Sequence, residues 1–155
     1  MRRAIGLARE AERRVGLAPV GCVIVLNGAI LAEGANEVRL RHDPTAHAEI
    51  VAIRRATESG ATADLRGATL YSTLQPCGMC TMASIWARMG RIVYGAERHQ
   101  VHAMYFDARH LDTIDFISDA FRADLPVMSG VLGAQCAELY FKPGDIVPVA
   151  EQGNI

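Results

Sequence analysis

Pro76-Cys77-Gly78-Met79-Cys80, read together with the upstream run Pro44-Thr45-Ala46-His47-Ala48-Glu49, is the pairing around which this chain is organised. Pro76 closes a β-prone run from Ala68 to Leu74 and hands over to a helix expected from about Cys77 to Ala87. At that helix start the two cysteines lie three apart, so both sulfurs can face one point beyond the N-terminus. The positive end of the helix favours the thiolate, which is the form that binds zinc. Pro44 keeps the residue before it out of helical geometry, Thr45 is a suitable N-cap, and a helix from Ala46 to about Thr57 puts His47 in its first turn. Two helix N-termini can therefore meet over one ion. Two thiolates and an imidazole make an open three-ligand set whose fourth position is left for water, a catalytic pattern and not a closed structural one. Neither Cys22 nor Cys136 shows zinc-finger spacing to the pair. Glu49 can reach the metal's water from the side, and a carboxylate there can take a proton from a water whose pKa the metal lowers to about 7.

Outward from this centre the pattern alternates. Ala4, Leu7, Ala8, Ala11 and Val15 recur at helical spacing, which predicts an amphipathic helix from about Arg3 to Arg14 that Gly16 stops. Val20 to Leu26 reads as a buried strand, Asn27-Gly28 as a hairpin turn, and Ala29 to Ala35 as the returning strand. Ile50, Val51 and Ile53 supply much of the apolar side of the helix after Thr45, and Gly60 marks its exit. A fourth strand is expected at Ile92-Val93-Tyr94, a short helix around Asp112 to Phe121, a short fifth strand at Val127-Met128, and a helix from Val131 to Phe141. Alternation of this kind points to an α/β sandwich whose later strands are joined by helical crossovers.

The chain has 155 residues, 50% of them hydrophobic and 21% charged, which suits one domain over 1–155 with a real core. A formal net charge of −1 gives no field that favours a polyanion. A Cys-x-x-Cys pair in such a chain reads as metal or redox chemistry in a reducing cytoplasm, and no apolar run approaches the roughly 20 residues of a membrane helix.

A His-x-Glu followed by Pro-Cys-x-x-Cys is the signature of the zinc-dependent base deaminases. The sequence resembles the cytidine deaminase superfamily from Pro19-Val20-Gly21, through His42-Asp43-Pro44-Thr45-Ala46-His47-Ala48-Glu49, to Cys136. That resemblance implies a three-layer α/β/α sandwich with a mixed five-stranded sheet and one Zn2+ per chain. His47, Cys77 and Cys80 would hold the metal, Glu49 would shuttle protons, and the chain would form a homodimer. It places the protein in the branch of tRNA adenosine deaminases, guanine deaminases and fungal-type cytosine deaminases. There Asn36 matches a base- or sugar-binding asparagine and Trp86 and Asp107 fall in stretches resembling guanine deaminases, so Asn36, Ala48, Trp86 and Asp107 are the expected substrate-binding residues. Gln75 replaces the glutamate usual before the Pro-Cys motif.

The expected function on this reading is hydrolytic deamination of a free nucleobase, guanine first and cytosine second, with nucleic acid unlikely as a partner. Two departures support the preference: His99 to Tyr105 stands where tRNA-acting enzymes have small residues, and the stretch after Phe141 carries a single lysine, Lys142. The alternatives are adenosine-to-inosine deamination of tRNA and, more remotely, a catalytically silent zinc-stabilised partner subunit.

Overall fold

The computed structural model describes residues 1–106 and 111–148. Helix α1 (Arg2–Glu12) leads into the hairpin β1 (Ala18–Leu26) and β2 (Ala29–Asn36), then a short α2 (Val38–Arg41) and α3 (Ala48–Gly60). Strand β3 (Thr69–Leu74), α4 (Gly78–Trp86), β4 (Arg91–Ala96), α5 (Thr113–Asp119), β5 (Val127–Met128) and α6 (Gly133–Ala137) follow, with single 3-10 turns at Arg98–Gln100 and Ala103–Tyr105. The sheet order is β2-β1-β3-β4-β5. The first two pairings are antiparallel and the last two parallel, so the five-stranded sheet is mixed, as expected. Asn27 (φ 50°) and Gly28 (φ 80°) both adopt the left-handed conformation that a two-residue hairpin of this twist demands.

Two close backbone approaches set the layers. Gly21 of β1 faces α1, where an added Cβ would lie 2.1 Å from Ala4 O, and Gly34 of β2 faces α3, where it would lie 2.3 Å from Ala48 O. Gly34 pairs with Cys22, the neighbour of Gly21, so the two glycines point to opposite faces of the sheet. The helices meet them with alanine stripes: Ala4, Ala8 and Ala11 on α1, and Ala48, Ala52 and Ala56 on α3 are all buried. Helix α6 joins the α1 face through Cys136 against Gly95, and α4 packs beside α3 and α5. The result is the three-layer α/β/α arrangement, with Ile24, Leu70 and Ile92 fully buried at the centre of the sheet.

Several boundaries differ from the sequence expectation for local reasons. Val15 lies beyond the end of α1 and is 99% exposed, because the helix stops at Glu12. Thr45 does not cap α3; its N–H and hydroxyl both donate to Asp43 Oδ1, and His47 takes the N-cap position. The expected helix from Val131 to Phe141 shrinks to α6, since Leu132 sits at φ 56° and cannot belong to it. Cys22 and Cys136, which showed no zinc-finger spacing to the pair, are buried core residues.

Candidate metal centre and active site

The ligand-bearing corners are held by polar contacts the sequence does not announce. Buried Glu37 pairs with Arg41 and, at 2.6 Å, with Arg55, while its N–H donates to Ala46 O at 2.9 Å. Asp43, whose carboxyl the Thr45 hydroxyl and N–H and then Arg54 hold down at about 2, braces the other side of the same loop. The chain thus reaches His47 already fixed. Across the site, Gln75 N–H donates to Ala96 O at 2.9 Å, so the main chain leaves β3 still tied to β4 before Pro76 turns it into α4.

His47 caps α3 and Cys77 caps α4, both in extended backbone, and Cys80 lies in the first turn of α4. His47 Nδ1 stands 3.7 Å from each of the two sulfurs, and the three ligand atoms lie within 4.8 Å of one another. Zinc bonds of about 2.3 Å to sulfur and about 2.0–2.1 Å to nitrogen, at tetrahedral angles, require nitrogen and sulfur about 3.5 Å apart. The residues therefore fit zinc in both donor chemistry and spacing. Glu49, 4% exposed, is the fourth member of the cluster. Ser72 Oγ donates to its Oε1 at 2.9 Å, and Cys80 Sγ lies 3.5 Å from its Oε2.

The charges in this cluster are interdependent. Burial, reinforced by the neighbouring Cys77 thiolate, pushes the Glu49 carboxyl up. A hydrogen bond from Cys80, helped by His47, holds the Cys77 thiol down at about 3, whereas its role as donor to Cys77 and its own burial push Cys80 up. The cluster thus carries one ready thiolate, and a metal cation supplies the positive charge that favours the second.

Val20, Asn36, Leu74, Gln75, Tyr105 and Phe106 complete, with His47, Glu49 and Cys77, a small chamber of about 20 Å³. It is large enough for about one water. Next to it, sharing Gln75 and Phe106, lies a cavity of about 810 Å³ that also contacts Arg98, His102 and Asp112.

Of the residues singled out in the sequence, His47, Glu49, Cys77, Cys80 and Asn36 converge here. Asn36 is 2% exposed and its Oδ1 accepts from Val38 N–H at 3.2 Å, so it shapes the strand end as well as the chamber wall. Ala48 is buried against β2 and lines neither cavity. Trp86 is not brought to the site: it ends α4, roughly 14 Å along the helix from Cys77, and is 73% exposed. Asp107 lies outside the described residues. Ser72, Tyr105 and Phe106 were not anticipated; a serine inside the apolar strand Leu70–Leu74 was the one available signal for the first.

An open zinc site with a buried carboxylate beside it defines a hydrolytic metalloenzyme, and the comparisons narrow the class. Residues 1–96 match the family described as the cytidine and deoxycytidylate deaminase zinc-binding region, and the chain belongs to this family. The tRNA-specific adenosine deaminase of Buchnera aphidicola is 39% identical over 139 residues, covering 90% of this chain and 82% of that protein. The guanine deaminase of Bacillus subtilis is 42% identical over 107 residues, 69% of each chain. A solved structure from work on A-to-I editing by tRNA:A34 deaminases at the wobble position of transfer RNA superposes with a TM-score of 0.73 at 38% identity, covering 88% of this chain and 94% of that one. The protein is accordingly a zinc-binding deaminase, a hydrolase of C–N bonds.

These relatives overturn the expectation of a free nucleobase with guanine first, because the sequence identity to a tRNA-specific adenosine deaminase extends over 90% of the chain and that to the guanine deaminase over 69%. Two of its supports also weaken: Trp86 lies exposed at the far end of α4, and a whole-chain net charge says little about the field at one surface. The remote alternative of a silent subunit gives way to the enzymatic assignment. No helix among the described residues is long and apolar enough to cross a membrane.

Proposed function

We propose that the protein hydrolyses the 6-amino group of an adenosine in tRNA, giving inosine and ammonia. The observation that carries this reading is the 39% identity spread over 90% of the chain to a tRNA-specific adenosine deaminase. Zinc, when held by His47, Cys77 and Cys80, supplies the Lewis acidity that makes water a nucleophile near neutral pH. Glu49 takes a proton from the attacking water and delivers it to the ring nitrogen beside the reacting carbon. It then passes the second proton to the departing amine, so the C–N bond breaks as the carbonyl forms. Ser72 holds one carboxylate oxygen still and leaves the other facing the ligand cluster. Asn36 lines the chamber and orients the base. The small chamber has room for about the nucleophile alone, and the larger cavity beside it offers space for the target base and the nucleotides that flank it.

The test is incubation of zinc-loaded protein with tRNA transcripts carrying adenosine at the first anticodon position, followed by nucleoside analysis. Inosine at that position is expected, and a transcript with guanosine there gives none. Absence of inosine from every such transcript refutes the reading. The homodimer belongs to the same proposal. Exposed Trp86 and Phe121 are apolar surface that a second copy would cover, and a monomeric mass by sedimentation at micromolar concentration would remove it.

A further inference from the structure

Gln75 stands in the wall shared by the small chamber and the large cavity, 8% exposed and directly before Pro76-Cys77. Its side chain is engaged at both ends. Oε1 accepts from Arg98 N–H at 3.0 Å, and Nε2 donates to Asp112 Oδ1 at 3.2 Å. The amide orientation is fixed by its partners, since a main-chain N–H can only donate and an ionised carboxylate can only accept. Asp112 is the N-cap residue of α5, and Arg98 opens the 3-10 turn that borders the cavity. Arg98 also reaches Asp112 through its guanidinium at 3.4 Å and lies over the Phe106 ring at 5.4 Å. The same end of α5 is tied to the ligand corner by Thr113, whose buried hydroxyl donates to Pro76 O at 3.1 Å. Phe116 packs so closely on Gly78 that a Cβ there would lie 2.5 Å from its Cζ.

We propose that Gln75 is a positioning residue for substrate binding: its amide locks α5 and the Arg98 turn in register with the Pro76–Cys77 corner and thereby sets the shape of the wall common to the two cavities. The site needs an acceptor towards Arg98 and a donor towards Asp112 at once, and a primary amide is the side chain that presents both. A carboxylate at position 75 still accepts from Arg98 but sets a second negative charge against Asp112; an aliphatic side chain leaves the Arg98 N–H unanswered and removes one of the donors to Asp112. The metal ligands do not depend on the clamp in the same way. His47 comes from another loop, and the cysteines are carried by α4 itself. The inference rests on the deaminase assignment, and on the tRNA reading only for the choice of assay substrate.

The experiment is a double-mutant cycle of Gln75→Glu and Asp112→Asn in the zinc-loaded full chain, reading kcat, KM, zinc content and Tm. Gln75→Glu is expected to raise KM about tenfold and to leave kcat within about threefold, the scale of one charged hydrogen bond replaced by repulsion. Zinc stays at one per chain. Adding Asp112→Asn gives the carboxylate a donor again and returns KM to within about threefold of wild type, and Tm recovers with it. The proposal is overturned by an unchanged KM in Gln75→Glu, by additive effects in the cycle, or by zinc loss that tracks the change in KM. If the wild-type protein converts a free aminated base and no tRNA, the functional reading fails, and the same cycle on that base still decides the role of Gln75. Inactivity on every substrate overturns both.

Discussion

Gly34→Ala is the most informative single change in this fold, because it alters no polar group and touches the site only through a helix. A Cβ on Gly34 would lie 2.3 Å from Ala48 O, 2.7 Å from Ala52 N and 3.2 Å from Ala52 Cβ. Carbon and oxygen approach no closer than about 3.3 Å, so α3 must withdraw from β2 by about 1 Å. The obstructing atoms are main chain and cannot rotate away. Overpacking of this kind costs about 1–3 kcal/mol, which lowers Tm by roughly 2–12 °C in a domain of this size. The larger consequence is catalytic. Helix α3 begins at the His47 cap and carries Glu49 in its first turn, and misplacing a reacting group by about 1 Å costs about 10²-fold in rate. The assay is kcat/KM and zinc content beside a thermal melt, with Gly6→Ala as the comparison. Gly6 lies in α1, where an added Cβ would come no closer than 3.8 Å to a neighbouring atom, the Arg3 Nη1, so that substitution should stabilise by up to about 1 kcal/mol. Adding Ala52→Gly to Gly34→Ala removes the 3.2 Å contact but neither main-chain clash, and it is not expected to rescue. Rescue by it, or wild-type Tm and activity in Gly34→Ala alone, would refute the reasoning.

Glu49→Gln keeps the shape and the Ser72 contact but removes the proton carrier, so zinc content should hold while kcat falls by about 10²–10⁴-fold; activity within tenfold of wild type would contradict the assigned role. The Thr81 hydroxyl is buried without a hydrogen-bond partner among the described residues. Thr81→Val, nearly isosteric, should therefore raise stability by about 1 kcal/mol in urea melts, and a fall of that size would mean that the hydroxyl is satisfied. Arg3 grips Glu33 with bonds of 2.6 and 2.7 Å, which lowers the Glu33 carboxyl below its usual range and ties α1 to β2. The sign follows: the contribution is present above the unfolded carboxylate pKa of about 4.3 and is lost as pH falls through the lower folded value. Both side chains are partly exposed, so Glu33→Gln should cost at most about 1 kcal/mol at pH 7 and the difference should vanish in acid.

The parts of the fold that follow from period and punctuation were legible in the sequence. Asn27-Gly28 had to be a hairpin, and the β-prone runs before Pro76 and after Gly90 had to be strands; even Val127-Met128 was readable. The metal set was legible for the same reason, since His47, Cys77 and Cys80 sit at element ends that Pro44 and Pro76 mark. What escaped was decided by tertiary contact. The buried face of α3 is chiefly Ala48, Ala52 and Ala56, which carry almost no hydrophobic signal, and the glycines that receive α1 and α3 look like strand breakers. Thr45 had the right chemistry for a cap, but Asp43 engaged it first. The chamber wall takes in Gln75, Tyr105 and Phe106, brought together from the end of β3 and the turn after β4 by tertiary contacts that no local pattern encodes.

The exposed position of Trp86 turns a residue with no place in the chamber into an optical instrument. It is the chain's one tryptophan, so all indole emission originates at the far end of α4. In an isolated chain that emission is already red-shifted by water and changes little on unfolding, which leaves the buried tyrosines Tyr94, Tyr105 and Tyr140 as the optical record of the core. A blue shift that grows with protein concentration would instead report a second surface closing over α4, read in the same cuvette without any label.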